Sequence, residues 1–234
     1  MARAVLPPIR NLPGALAISL IVVSVIVAIA KPIAAFVALA PELVLRGFVW
    51  ELLSYGFIET SPMGVIFGAL IIWSIGTSLE FVWGRKRLIW FLVGITVLSA
   101  IATVVLSVLV PALVSELYAG GTVVTGAMWV AYGLHVGRGP ANFWGAPVTG
   151  NQLALIGVGF VFLNAAFARS ISHFIPEAFG LLFTFFYMRG ARPSELWLRF
   201  RSWQLQRDLD KRSAHLRSID GGRNTGGGSD KYLH

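Results

Sequence analysis

The chain has 234 residues, 56% of them hydrophobic and only 13% charged, with a mean hydropathy of +0.74. This composition excludes an ordinary soluble domain and indicates an integral membrane protein whose apolar segments form one bundle. The net charge of +8 does not signal nucleic acid, because the basic residues fall in short loops and the C-terminal stretch, where topology and anionic lipid account for them. With no cysteine, disulfides, thiol nucleophiles and Cys-ligated metals drop out.

In chain order, residues 1–13 carry Arg3 and Arg10 and form a cytoplasmic N-terminus. The apolar run GALAISLIVVSVIVAIA, residues 14–30, has the length of a signal peptide or a first span. We read it as a retained helix, because further spans follow and no small-residue cleavage site stands out. Lys31-Pro32 closes it. Residues 33–58 are apolar but broken by Pro41, Glu42, Arg46 and Glu51, which predicts a segment partly embedded in the interface, with Trp50 and Tyr55 as anchors. Helix two is expected over residues 64–81 and helix three over 88–112, joined by the basic turn GRKR. A shorter helix four over 122–136 follows SELYAGG. The Gly/Pro-rich loop GRGPANFWGAPVTGN leads to helix five over 151–168, and ARSISH separates that from helix six over 172–188.

Arg3/Arg10, Arg85/Lys86/Arg87, Arg138 and Arg189/Arg192 all fall on one side of such a six-crossing chain. The positive-inside rule then puts both termini in the cytoplasm and fits a cytoplasmic, inner-type membrane best, with a eukaryotic organelle membrane as the alternative. Residues 191–217 are expected to form a basic amphipathic interfacial helix, with Ser194 as N-cap and Leu196, Phe200 and Trp203 at helical spacing. The Gly-rich residues 218–234 are expected to form a flexible tail.

An ionisable or strongly polar group inside a span is a functional-site hypothesis by default. His173 and Thr125 fall at similar depth near the outer ends of helices six and four, as a hydroxyl–imidazole acyl-transfer pair requires. The bland alternative is a threonine bonded to its own helix backbone. Glu177 follows His173 by four residues on the same helix face, where it can orient the imidazole, stand protonated, or pair with another helix. Asn164 and Arg169 are further polar groups near the ends of spans. His and Glu alone fall short of the usual three protein ligands of a metal, so neither a metal nor a cofactor is expected.

These landmarks together resemble the six-helix rhomboid intramembrane protease family over residues 14–190. GTSLEFVWGR matches the helix-two pattern at Gly76, Glu80, Gly84 and Arg85, and TVVTGAMWVAYG matches helix four at Gly126, Ala127 and Gly133. HFIPEAFG keeps His173 and Gly180 but has Pro176 at the first glycine. The resemblance implies an all-α membrane protein, a six-transmembrane-helix rhomboid-like bundle with both termini inside. The nucleophilic serine of that family falls on Thr125 and the glycine two residues earlier on Val123. The oxyanion-lining His and Asn fall on Gly64 and Gly68, and the loop Trp-Arg on Trp50-Glu51.

Losing one oxyanion donor typically costs about 100-fold to 1000-fold in rate, and a threonine methyl stiffens χ1 in a crowded helix. The resemblance therefore implies a rhomboid-like pseudoprotease that binds membrane lipids and a transmembrane client or partner subunit, with no nucleic acid. GVIFG and GLHVG carry the small-xxx-small spacing that lets helices approach closely. Two alternatives stand beside it: a divergent peptidase using a Thr125–His173 dyad, and a small transporter or lipid-handling protein using the His173/Glu177 face.

Overall fold

The computed structural model describes residues 11–143, 146–168 and 171–190. The expected interfacial helix over 191–217, the tail over 218–234 and the basic residues Arg3, Arg10, Arg169 and Arg192 lie outside the described residues.

Among the described residues six long helices make the bundle. They are α1 (Leu12–Ile29), α5 (Pro62–Trp83), α6 (Arg85–Leu109), α7 (Gly121–Val136), α8 (Gly150–Ala168) and α9 (Ile171–Met188). Between α1 and α5 lie three short ones: α2 (Lys31–Val37), α3 (Pro41–Leu45) and α4 (Glu51–Ser54). Among the described residues three helices, α1, α5 and α6, are long and apolar enough to cross a membrane, and α8 adds a shorter apolar stretch. The long helices start and stop where local chemistry requires. Asn11 and Ser61 cap α1 and α5, accepting from the backbone N–H of Gly14 and Gly64, each at 2.9 Å. Gly84, with φ of +78°, is the whole turn between α5 and α6, a backbone region that disfavours a side chain.

Contacts along the helices fix their directions. Asn11 Nδ2 donates to Thr77 Oγ1 at 2.7 Å, while Ser24 Oγ accepts from the Glu59 backbone N–H at 2.9 Å, so α1 runs antiparallel to α5. Trp83, Phe91, His135 and Tyr187 gather the ends of α5, α6, α7 and α9 into one aromatic cluster. Arg87 lies over the Trp83 ring at 5.0 Å, a cation–π contact. We call this the basic end of the bundle. Helix α7 is the central element, buried along most of its length among α5, α6, α8 and α9.

Close backbone approach explains that burial. A Cβ on Gly133 would sit 2.5 Å from the backbone N of Ala154 and 2.7 Å from the carbonyl of Gly150, so α7 and α8 touch main chain to main chain. Gly126 faces Val161 of α8, and Gly180 of α9 faces Val123 of α7, each within 3 Å of where a Cβ would stand. Large apolar side chains point outward instead: Phe81 is 91% exposed and Trp90 75%, the arrangement expected where lipid replaces water.

Several sequence expectations change. Tyr55 is not an interfacial anchor: it is fully buried, its hydroxyl donates to the Thr96 carbonyl at 3.0 Å, and its ring fills the space over Gly120. Trp50 is exposed and donates through its indole N–H to Phe36 O at 3.0 Å. The segment around α2–α4 is a folded cap, held by a two-way backbone bridge between Leu39 and Tyr118 at 3.0 and 2.9 Å. Within it Glu51 is buried and accepts from the Ala40 backbone N–H at 2.9 Å, and burial pushes its carboxyl above the usual range. The expected loop after helix four contains an antiparallel hairpin, Pro140–Phe143 with Ala146–Thr149. Its prolines hid it from pattern reading, since proline demotes a strand assignment except at edges.

Candidate functional site

Opposite the basic end, the loop before α5, the start of α7, the end of α8 and the start of α9 enclose a polar cavity of about 350 Å³. Glu59, Ser61, Thr122, Asn164, His173 and Glu177 line it. Each polar group is placed by a helix end. Glu59 stands before Ser61, the N-cap of α5, and its Oε1 accepts from the backbone N–H of Thr60 at 3.0 Å and of Ser61 at 3.2 Å. Burial nonetheless raises its carboxyl above the ordinary range, with those hydrogen bonds pulling the other way.

Glu177 is 7% exposed. Thr122 Oγ1 donates to its Oε1, while its Oε2 is buried with no partner. Of the three roles open to Glu177 in the sequence, the structure places it against another helix, not against His173. His173 is exposed and sets its ring edge-on to Tyr118, with centroids 6.2 Å apart. Burial and the neighbouring Glu116 carboxylate push the Tyr118 phenol up to about 12.

Thr125 is buried one turn below Thr122, and its hydroxyl donates to the Gly121 carbonyl at 3.0 Å and to the Thr122 carbonyl at 3.2 Å. This is back-bonding to its own helix, an ordinary resting place for a helical threonine. Among the described residues no hydrogen bond joins Thr125 to His173. The Thr125 methyl lies 3.2 Å from where a Gly68 Cβ would be, and Leu20 of α1 lies 3.1 Å away on the other side.

The two glycines of GVIFG thus have different jobs. Gly68 admits neighbouring helices, whereas Gly64 admits the Glu59 side chain, whose Cδ would be 2.6 Å from a Gly64 Cβ. In GLHVG a Cβ would strike the α8 backbone at Gly133 but not at Gly137, which, with φ of +63°, is the C-cap of α7 and whose carbonyl accepts from Asn151 N–H at 2.7 Å.

Of the other singled-out positions, Gly76 packs on Pro13, and the Glu80 carbonyl accepts from the Gly84 N–H at 2.8 Å. Arg85 opens α6 with an exposed side chain. Asn164 joins the cavity wall. Sequence reading missed Glu59 and Thr122. The signal for Glu59 was an acidic residue just before a Ser-Pro helix start, with Gly64 beyond it to leave room. Among the described residues no three His, Asp or Glu side chains converge to hold a metal ion.

A family model described as "Eukaryotic integral membrane protein (DUF1751)" matches residues 14–193, which takes in nearly all of the six long helices. No curated protein matches the chain.

Proposed function

Since the chain belongs to this DUF1751 family of eukaryotic integral membrane proteins, we propose that it is a rhomboid-like bundle without peptidase activity that binds transmembrane clients or a partner subunit. The observation that carries this reading is the packing of Thr125. Its hydroxyl is committed to the Gly121 and Thr122 carbonyls, and its methyl rests on Gly68, where the resemblance places an oxyanion-lining side chain. The Glu59 carboxyl lies over Gly64, the other such position. Oxyanion stabilisation needs donors aimed at developing negative charge, and here a carboxyl group stands close to that place. His173 turned toward Tyr118 gives no hydroxyl–imidazole pair.

The alternating helices support six crossings. The collection of Arg85, Lys86, Arg87, Arg138 and Arg189 on segments at or next to the aromatic cluster supports a cytoplasmic basic end.

Client binding then uses helix–helix recognition. A groove between α1 and α5, floored by Gly14, Ala17 and Ala69 and flanked by Ile18, Ile66 and Trp73, offers small residues to an incoming span. Fluorescence transfer in vesicles between the labelled protein and a glycine-interrupted polyleucine span tests this. We expect saturable transfer that unlabelled span displaces, and that Ala17→Leu with Ala69→Leu weakens. Transfer no greater than with an unrelated membrane protein at equal density contradicts it.

A further inference from the structure

We propose that the polar cavity opposite the basic end binds an organic cation, a guanidinium or ammonium group on a client's basic side chain, with Glu59 and Glu177 as its counter-charges. This rests on the client-binding reading and names what the client presents.

The cavity, about 350 Å³, holds two carboxyl groups and, among the described residues, no Lys or Arg in its lining. Among the described residues the one ion pair joins Arg46 to Glu42, and none of those residues gives Glu59 or Glu177 a cationic partner. Glu177 is the sharper case: more than nine-tenths buried, with Thr122 on one oxygen and nothing on the other. A buried acceptor left unmade is costly, and an ionisable group inside a membrane bundle is a functional-site hypothesis by default. Asn164 adds an amide whose oxygen is a further acceptor for N–H donors. A guanidinium, with five donors in a planar fork, suits two carboxyl groups and an amide.

Other cations fit less well. A metal ion wants about three protein ligands, and the described His, Asp and Glu side chains supply no such group. A zwitterionic lipid headgroup would bring its phosphate into a cavity whose described lining holds two carboxyl groups and no Lys or Arg to receive it.

Two arms test the assignment. In detergent, thermal unfolding is followed with n-butylguanidinium and with its neutral analogue n-butylurea. The guanidinium should raise the midpoint of the wild type, the urea should not, and Glu59→Gln and Glu177→Gln should each remove the difference. Glu59→Gln keeps the test valid should Glu177→Gln fail to fold. In phosphatidylglycerol vesicles, the polyleucine span is compared with Arg or Gln at its outer end. The Arg form should bind the wild type at least about tenfold more tightly, a preference that both variants lose.

Equal binding of the Arg and Gln spans overturns the cation site and leaves client binding standing. No binding of either span overturns client binding, and equal effects of butylguanidinium and butylurea then overturn the cavity assignment as well. Loss of the Arg preference on replacing phosphatidylglycerol with phosphatidylethanolamine assigns the cavity to a lipid ammonium and overturns the client side chain.

Discussion

Gly133→Leu is expected to abolish assembly of the bundle. At this position α7 meets the α8 backbone itself, 2.5 Å from a would-be Cβ to Ala154 N, and main chain cannot step aside as a side-chain tip can. Overpacking a dense core typically costs about 1–3 kcal/mol and occasionally more. Here the new side chain would separate the central helix from its most intimate neighbour, so about 3 kcal/mol or more is expected. The Gly133 variant should aggregate on extraction, whereas Gly94→Leu on α6, with nothing within 4 Å of its would-be Cβ, should elute as the wild type does. Size-exclusion profiles and thermal unfolding of the two variants check this. A monodisperse Gly133→Leu protein with an unchanged midpoint contradicts the close α7–α8 crossing.

The second large effect concerns the proposed vestigial site. Gly68→Leu should lower stability by about 1–3 kcal/mol, because Leu20 and the Thr125 methyl already stand at 3.1 and 3.2 Å from the added Cβ. Thr125→Ser removes that methyl and keeps the hydroxyl. Alone it should be mildly destabilising; combined with Gly68→Leu it should recover part of the loss, a coupling of about 1 kcal/mol. Unfolding midpoints of the two single variants and the double variant give the cycle. Strict additivity means that the methyl and residue 68 are not in contact and removes the packing argument for a closed site.

Much of the fold was legible because membrane helices declare themselves through length and hydropathy. The expected helices over 64–81, 122–136, 151–168 and 172–188 match α5, α7, α8 and α9 to within about two residues at each end. The third ran a few residues late, over 88–112 against Arg85–Leu109, because the apolar run continues past Leu109 into Val110-Pro111 while the basic turn GRKR is itself mostly helical. The cap over residues 31–57 was harder: Tyr55 in sequence is an amphipathic ring beside an apolar run, and only the Leu39–Tyr118 bridge and the space over Gly120 show that it is core.

The site was half legible. Depth along helices could be counted, which brought Thr125, His173 and Glu177 toward one end, but the rotation that turns each side chain could not. Thr122 therefore went unnoticed although it, and not His173, holds Glu177. Gly64 read as a helix-packing glycine because nothing in GVIFG says that a loop carboxyl five residues earlier folds back onto it.

The most direct test of catalytic silence is reaction of the purified, folded protein with a fluorophosphonate probe, comparing wild type, Thr125→Ala and Thr125→Ser. With the Thr125 hydroxyl held by its own helix and His173 turned to Tyr118, none of the three should label. Labelling of the wild type that disappears in Thr125→Ala would establish a working nucleophile and contradict the account.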